Sequence, residues 1–164
     1  MEIIPLADKK ELITELAELR QREWRHLNPS LTLQQRMESI ATAAGRRGVP
    51  SIFIATAGDQ LIGSAALVKN DMDTKPDLSP WLAAVYVKDG FRRQGIATQL
   101  IARCEDEAIR SNAKAWYLYT EFASSLYEEL GWRHMERCEY KGATVDVMFK
   151  RLGPLNPPWR PPAP

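Results

Sequence analysis

The sequence predicts an α+β fold (helices and strands mixed along the chain): a central, mostly antiparallel sheet of about seven strands with one parallel pair, flanked by about four helices. Three observations carry that prediction. Short stretches rich in β-branched, aromatic and other apolar residues alternate with stretches of helical periodicity. Two pairs of strands are joined by short glycine-bearing turns, Gly58-Asp59-Gln60 and Lys141-Gly142, as antiparallel hairpins are. One further pair, Trp81–Val87 and Ala115–Thr120, is joined through a helix, which is the pattern of a parallel crossover.

The elements follow in order. Glu2 to Leu6 is a short apolar strand. Asp8 with Glu11 three residues on reads as a capping box, and Leu12, Ile13, Leu16 and Leu19 recur at helical spacing to about Arg25. His26-Leu27-Asn28-Pro29-Ser30 breaks that helix. Thr32 with Gln35 repeats the capping-box pattern, Leu33, Met37, Ile40, Ala41 and Ala44 share one face, and Gly45 and Gly48 end the helix. Ser51–Ala57 and Leu61–Val68 form a hairpin, and the polar, proline-bearing stretch 70–80 is a loop. Trp81–Val87 is apolar on both alternating faces, so it is a central strand covered on both sides. The helix after it carries Ile96, Ala97, Leu100, Ile101, Cys104 and Ala108 on one side; Arg103, Glu105, Asp106, Glu107 and Arg110 fall largely on the other. Ser124–Leu130 is a short helix stopped by Gly131, and Trp132–Tyr140 with Thr144–Leu152 makes the last hairpin. Residues 1–152 thus read as one domain. The tail 153–164 is too proline-rich for helix or sheet and is expected to run extended over the surface.

Composition excludes several function classes. The chain has 164 residues, 45% hydrophobic and 26% charged, ordinary values for a soluble globular domain with a real core. A net charge of +1 supplies no field for nucleic acid or an anionic membrane, so neither is an expected partner. No apolar run approaches the ~20 residues of a membrane span, and the N-terminus lacks the pattern of a secretory signal. Cys104 and Cys138 have no CxxC or Cys/His spacing; they read as buried thiols of a reducing, cytoplasmic compartment, with no metal expected.

The loop between the central strand and its helix holds most of the chemistry: V-K-D-G-F-R-R-Q-G-I-A from Val87 to Ala97. A helix start presents unsatisfied N–H groups and a positive dipole end, which suits a phosphate. Gly95 lets the backbone approach an anion, Ala97 keeps the helix surface clear, and Arg92 and Arg93 add positive charge. Gly90 and Gly95 have the Walker spacing, but Ile96-Ala97 stand where Lys-Ser/Thr is required, so the loop does not read as that of an NTPase; the dinucleotide fingerprint GxGxxG is also absent. By itself the loop could be only a basic turn capping a helix.

Two motifs together go further. Arg92-Arg93-Gln94-Gly95-Ile96-Ala97 resembles the (Q/R)-x-x-G-x-(G/A) signature of the GNAT superfamily of acyl-CoA N-acyltransferases, and Leu126-Tyr127-Glu128-Glu129-Leu130-Gly131-Trp132 is similar to that family's LYexLGF segment. The two cover roughly Trp81 to Leu152. The resemblance implies a parallel pair splayed apart, with the backbone of Val85, Tyr86 and Val87 pairing with the pantetheine arm of acetyl-CoA as an added strand. It implies that backbone groups from Arg92 through Thr98 (Arg92, Arg93, Gln94, Gly95, Ile96, Ala97, Thr98) hold the pyrophosphate, and that Thr120, Ser124 and Tyr127 lie near the thioester. It assigns Tyr127 as the acid that protonates the leaving thiolate.

The base is not named by the motif. The strands 81–85 and 115–119 carry no carboxylate, where related enzymes often place a glutamate. Glu121 and Glu38 are candidates acting through water, and His26 at a helix end is another; His134 reads as a strand residue. The acceptor pocket is expected between the first two helices and loop 70–80, with Trp24, Arg25, Met37, Tyr86 and Trp116 as candidate lining groups. The expected activity is acetyl transfer from acetyl-CoA to a primary amine of a small molecule or peptide. A non-catalytic acyl-CoA-binding module needs the same loop without Tyr127, and a nucleotide-binding protein would use the loop alone. The chain is expected to be a monomer or a homodimer, the last hairpin and the tail being the surfaces open to a second copy.

Overall fold

The computed structural model describes residues 1–153 and 161–163. Its elements run β1 (Glu2–Pro5), α1 (Ile13–Trp24), α2 (Leu33–Ala43), β2 (Ser51–Ala57), β3 (Gln60–Val68), β4 (Trp81–Val87), α3 (Ile96–Arg110), β5 (Ala115–Thr120), α4 (Ser124–Glu129), β6 (Arg133–Tyr140) and β7 (Ala143–Arg151). The strands form one seven-stranded sheet of order β1-β2-β3-β4-β5-β7-β6. Neighbours are antiparallel except β4 and β5, which are parallel. The expected fold is therefore the observed one. The last hairpin enters with its second strand, β7, against β5, so β6 becomes the sheet edge. The tail expected to run extended falls mostly on residues 154–160 and 164, outside the described residues.

Strand alternation sorts the core into two faces. Phe53 and Ala55 of β2 join Ile62, Ala65 and Leu67 of β3 under Ile96, Leu100, Ile101 and Cys104 of α3. Ile52 and Ile54 point the other way, into Leu16, Ala17 and Leu19 of α1 and Ile40 of α2. A third cluster lies around Trp81, Tyr117, Val147 and Phe149 at the β5–β7 side. Both faces of the central strands are covered, as their two-sided apolar pattern requires.

Helix starts divide by local chemistry. Thr32 Oγ1 accepts from the Gln35 N–H at 3.1 Å, and Gln35 Oε1 accepts from the Thr32 N–H at 2.9 Å, a complete capping box. The box expected at Asp8 does not form. The chain first makes two 3-10 turns, Leu6–Asp8 and Lys10–Leu12, and α1 begins at Ile13 with no side-chain cap. Burial of Leu6 under the sheet directs this segment, and Asp8 turns to an ion pair with Arg46. Glu107 is a second correction: the polar-face residue is buried at 3% exposure. It is held there by the Gly48 N–H at 2.7 Å and Arg103 Nη1 at 3.0 Å, which replace its water.

Candidate active site

The site begins with a defect in the sheet. β4 and β5 share a single register pair, Trp81↔Tyr117, and separate beyond it. The cause is a β-bulge: Ser64 pairs with Tyr86 but Ala66 with Ala83, so Ala84 and Val85 together oppose Ala65. Ala84 takes φ +50°, a conformation an alanine avoids unless its surroundings impose it. The bulge bends the end of β4 away from β5 and leaves backbone groups of Val85–Val87 at an unpaired edge.

The loop after β4 is a run of left-handed turns, with Gly90 at φ +87°, Arg93 at +62° and Gly95 at +77°. Gly95 is the N-cap of α3, and no side chain caps that end. The first intrahelical bond is Gln99 N–H to Gly95 O at 3.1 Å, so the N–H groups of Ile96, Ala97 and Thr98 precede the ladder and point outward. A Cβ built on Gly95 meets nothing within 4 Å, so this backbone faces open space. Arg92 is fixed rather than free: its Nε donates to Val87 O at 2.8 Å, and its guanidinium lies 5.9 Å from the Tyr86 ring centre. Gln94 folds back, donating to Gly90 O at 3.3 Å. Oriented N–H groups, a helix dipole and two arginines fit an anionic group of pyrophosphate type.

Two cavities open here. The first, of about 490 Å³, is walled by Val85–Val87, Arg92, Arg93, Gly95–Thr98, Leu126 and Tyr127. The second, of about 520 Å³, lies between α1, α2, the start of loop 70–80 and the ends of β4 and β5. Glu23, Val85, Ala123 and Tyr127 wall both, so the cavities meet at that point. An edge-to-face contact of Trp24 with Tyr86, centres 6.3 Å apart, joins α1 to β4 beside the junction.

Tyr127 is buried at 7% exposure, its ring held against Trp132 with centres 5.9 Å apart. Burial pushes its phenol above the ordinary value of 10, so it keeps its proton at neutral pH. Thr120 lines the second cavity, but its Oγ1 already accepts from the Ala123 N–H at 3.0 Å, which shapes the entry to α4. Ser124 is the half-buried first residue of α4 and walls neither cavity.

The candidate bases separate cleanly. Glu121 and His26 come together in the second cavity, with His26 Nε2 2.6 Å from Glu121 Oε1 across 95 residues of sequence. Glu38 does not reach the site; it sits exposed on α2 beside Gln34. His134 pairs with Asp146 on the last hairpin. Of the residues expected to line the acceptor pocket, Trp24 does so. Tyr86 lines the first cavity instead, because the bulge turns it there. Trp116 is fully buried against Trp132, their centres 4.8 Å apart. Arg25 and Met37 wall neither cavity.

Sequence reasoning missed Arg20, Glu23, Arg36 and Asp71, all of which line the second cavity. A signal existed for the arginines: Arg20 follows Leu16 by four residues and Arg36 precedes Ile40 by four, each a charge within an apolar stripe. Burial pushes Arg20 down to about 10 and Asp71 up to about 6; each favours the other's charge and so opposes its partner's shift. No group of three or more metal-ligating side chains occurs among the described residues.

No curated protein matches the sequence. Solved structures do match in fold. An aminoglycoside 6'-N-acetyltransferase complexed with coenzyme A aligns over 99% of this chain and 100% of its own, with TM-score 0.75 at 17% identity. A type Ii aminoglycoside 6'-acetyltransferase aligns over 94% and 99%, with TM-score 0.72 and 17% identity. A ribosomal-protein-alanine N-acetyltransferase from Brucella melitensis aligns over 93% and 100%, with TM-score 0.69 and 17% identity. The family model described as "Acetyltransferase (GNAT) domain" matches residues 49–134, which include the bulged β4, the Arg92–Ala97 loop and Tyr127. With more than half of its length in that match, the chain belongs to the GNAT family of acetyltransferases.

Proposed function

We propose that this acetyltransferase moves the acetyl group of acetyl-CoA directly onto a primary amine bound in the cavity lined by α1 and α2. The observation that supports this most is the meeting of the two cavities at Val85, Ala123 and Tyr127; read as a donor channel and an acceptor pocket, they share Tyr127 as proton donor. Acetyl-CoA, when bound, supplies an activated thioester. The N–H groups at the start of α3 hold the pyrophosphate, and the free edge of Val85–Val87 holds the pantetheine arm and orients the carbonyl.

Glu121, positioned by His26, takes a proton from the amine directly or through one water. The amine enters neutral, and its nitrogen forms the bond to the acetyl carbon as the carbon–sulfur bond breaks, the proton that Glu121 takes being the one the nitrogen sheds in becoming an amide. Tyr127 gives its phenolic proton to the departing thiolate, and the products are an amide and a free thiol. The two free cysteines, one buried and one half-buried, accord with a cytoplasmic, reducing setting.

Paired variants test the assignment. Tyr127→Phe is expected to lower kcat by about 100-fold or more, and Glu121→Gln by about 10- to 100-fold. Acetyl-CoA affinity, read by calorimetry, should stay within about threefold of the parent in both, since neither substitution touches the pyrophosphate cradle. Unchanged kcat in Tyr127→Phe removes the tyrosine from the mechanism, whereas no turnover in the parent with any amine favours a chain that binds acyl-CoA without using it.

A further inference from the structure

The acceptor cavity is electrically lopsided. Glu23 stands on the wall shared with the coenzyme cavity, and Glu121 precedes Ala123 of that wall by two residues. Arg20 lies one helical turn before Glu23 and Trp24 on α1, about 5 Å along the axis. Arg36 faces the same cavity from α2. The end of the pocket at the reaction point is therefore acidic, and the end a turn away is basic.

The basic end is incomplete. Arg36 is only 8% exposed; its Nε donates to Gln21 Oε1 at 2.8 Å, while its Nη2 finds no acceptor. Arg20 leaves both Nε and Nη2 without an acceptor. Neither guanidinium forms an ion pair among the described residues. Asp71 is the acid whose charge acts on Arg20; burial pushes its carboxyl up to about 6, and the two arginines repel each other. Buried N–H donors without acceptors are rare in folded proteins, and here they belong to two guanidinium groups that line the cavity with their positive charge uncompensated. Two such guanidinium groups against the single acid Asp71 call for one more negative charge. The volume of about 520 Å³ suits a small molecule.

We propose that the acceptor is an amine that also carries a carboxylate, an amino acid or close analogue, with its carboxylate held by Arg20 and Arg36 and its amino group held by Glu23 and Glu121 beside Tyr127. The assignment rests on the N-acetyltransferase reading above and names the substrate of that same site. An amine lacking the carboxylate leaves the inner cations unpaired. An aminosugar brings oxygens to the donors but no charge, and a phosphate-bearing amine brings the charge in a different shape.

Thiol release from acetyl-CoA, measured with a set of α-amino acids and the amide of each, with O-phosphoethanolamine and with kanamycin, tests this. For at least one amino acid, kcat/KM is expected to exceed that of its own amide, of the phosphate amine and of the aminosugar by about tenfold or more. Arg20→Gln and Arg36→Gln are each expected to shrink the acid-to-amide ratio to within about threefold of one. Equal kcat/KM for acids and amides, or a preference for the amide, the phosphate amine or the aminosugar, overturns the proposal. The comparison of ligand pairs uses the unmodified protein, so a variant that fails to fold does not blunt it. If no amine releases thiol, the N-acetyltransferase reading fails. Binding then decides the arginine site: stabilisation of the coenzyme A-loaded protein by amino acids but not by their amides supports it, and equal or absent stabilisation by both overturns it.

Discussion

Gly95 shows how one residue can shape a proposed binding site. It caps α3 at φ +77°, where a Cβ is strained by roughly 1–2 kcal/mol, and its own face of the backbone is open. Gly95→Val is therefore expected to leave a folded domain, with a melting point lower by a few degrees, about what 1–2 kcal/mol costs at this size. Its branched side chain would fill the space a phosphate needs, so stabilisation by acetyl-CoA in a thermal-shift assay should disappear. Retained stabilisation would place the pyrophosphate elsewhere. Tyr127 illustrates the opposite case: its chemistry depends on what buries it. The Trp132 ring and the removal of water keep its proton in place, and Tyr127 walls both cavities, which is why the proposed mechanism uses that proton.

At the scale of the element, α3 must hold its start steady, and Glu107 is part of how it does so. Burial opposes the carboxylate, but the Gly48 N–H and Arg103 outweigh it and hold the carboxyl below its ordinary value of 4.5. Arg103 in turn stacks over Phe53, 4.0 Å from its ring centre, so the cluster ties α3 to β2 and to the connection before it. A carboxyl with a lowered folded value binds protons more readily when unfolded. Its contribution to stability is thus fully present above pH 4.5 and is lost as pH falls through the folded value. Glu107→Gln is expected to cost about 1–3 kcal/mol at pH 7 and progressively less in acid, measured by urea unfolding at a series of pH values. A difference that did not change with pH would show that packing, not charge, holds this residue.

At the scale of the whole molecule, the proposed site is an opening in the sheet. Seven strands form one sheet, yet β4 and β5 share one register pair, and the gap between their ends is where α1, α2, α3 and α4 converge. A ligand bridging that gap ties the β1–β4 half to the β5–β7 half. Acetyl-CoA at about 100 times its dissociation constant is expected to add about 2.7 kcal/mol to stability, seen as a rise in melting temperature. ATP, which lacks the pantetheine arm, should add little. Stabilisation by ATP equal to that by acetyl-CoA would mean that the phosphate loop alone binds, and the cleft would lose its role.

The local features were legible in the sequence because local chemistry decides them. Apolar strand runs and hairpin turns marked all seven strands, the Thr32–Gln35 pair placed the start of α2, and Gly95 marked the turn that opens α3. Where the local pattern competed with burial, it failed: Asp8 lost its helix to the seating of Leu6, and Glu107 left the polar face for buried partners. The insertion of β7 between β5 and β6, the bulge at Ala84 that opens the cleft, and the pairing of His26 with Glu121 were all decided by tertiary structure. So was the convergence of Arg20, Arg36 and Asp71 on one cavity. The physical reason is the same in each case. Periodicity, caps and turns are set by neighbours a few residues apart, whereas a cavity takes its charge and shape from residues that meet only when the whole sheet has closed.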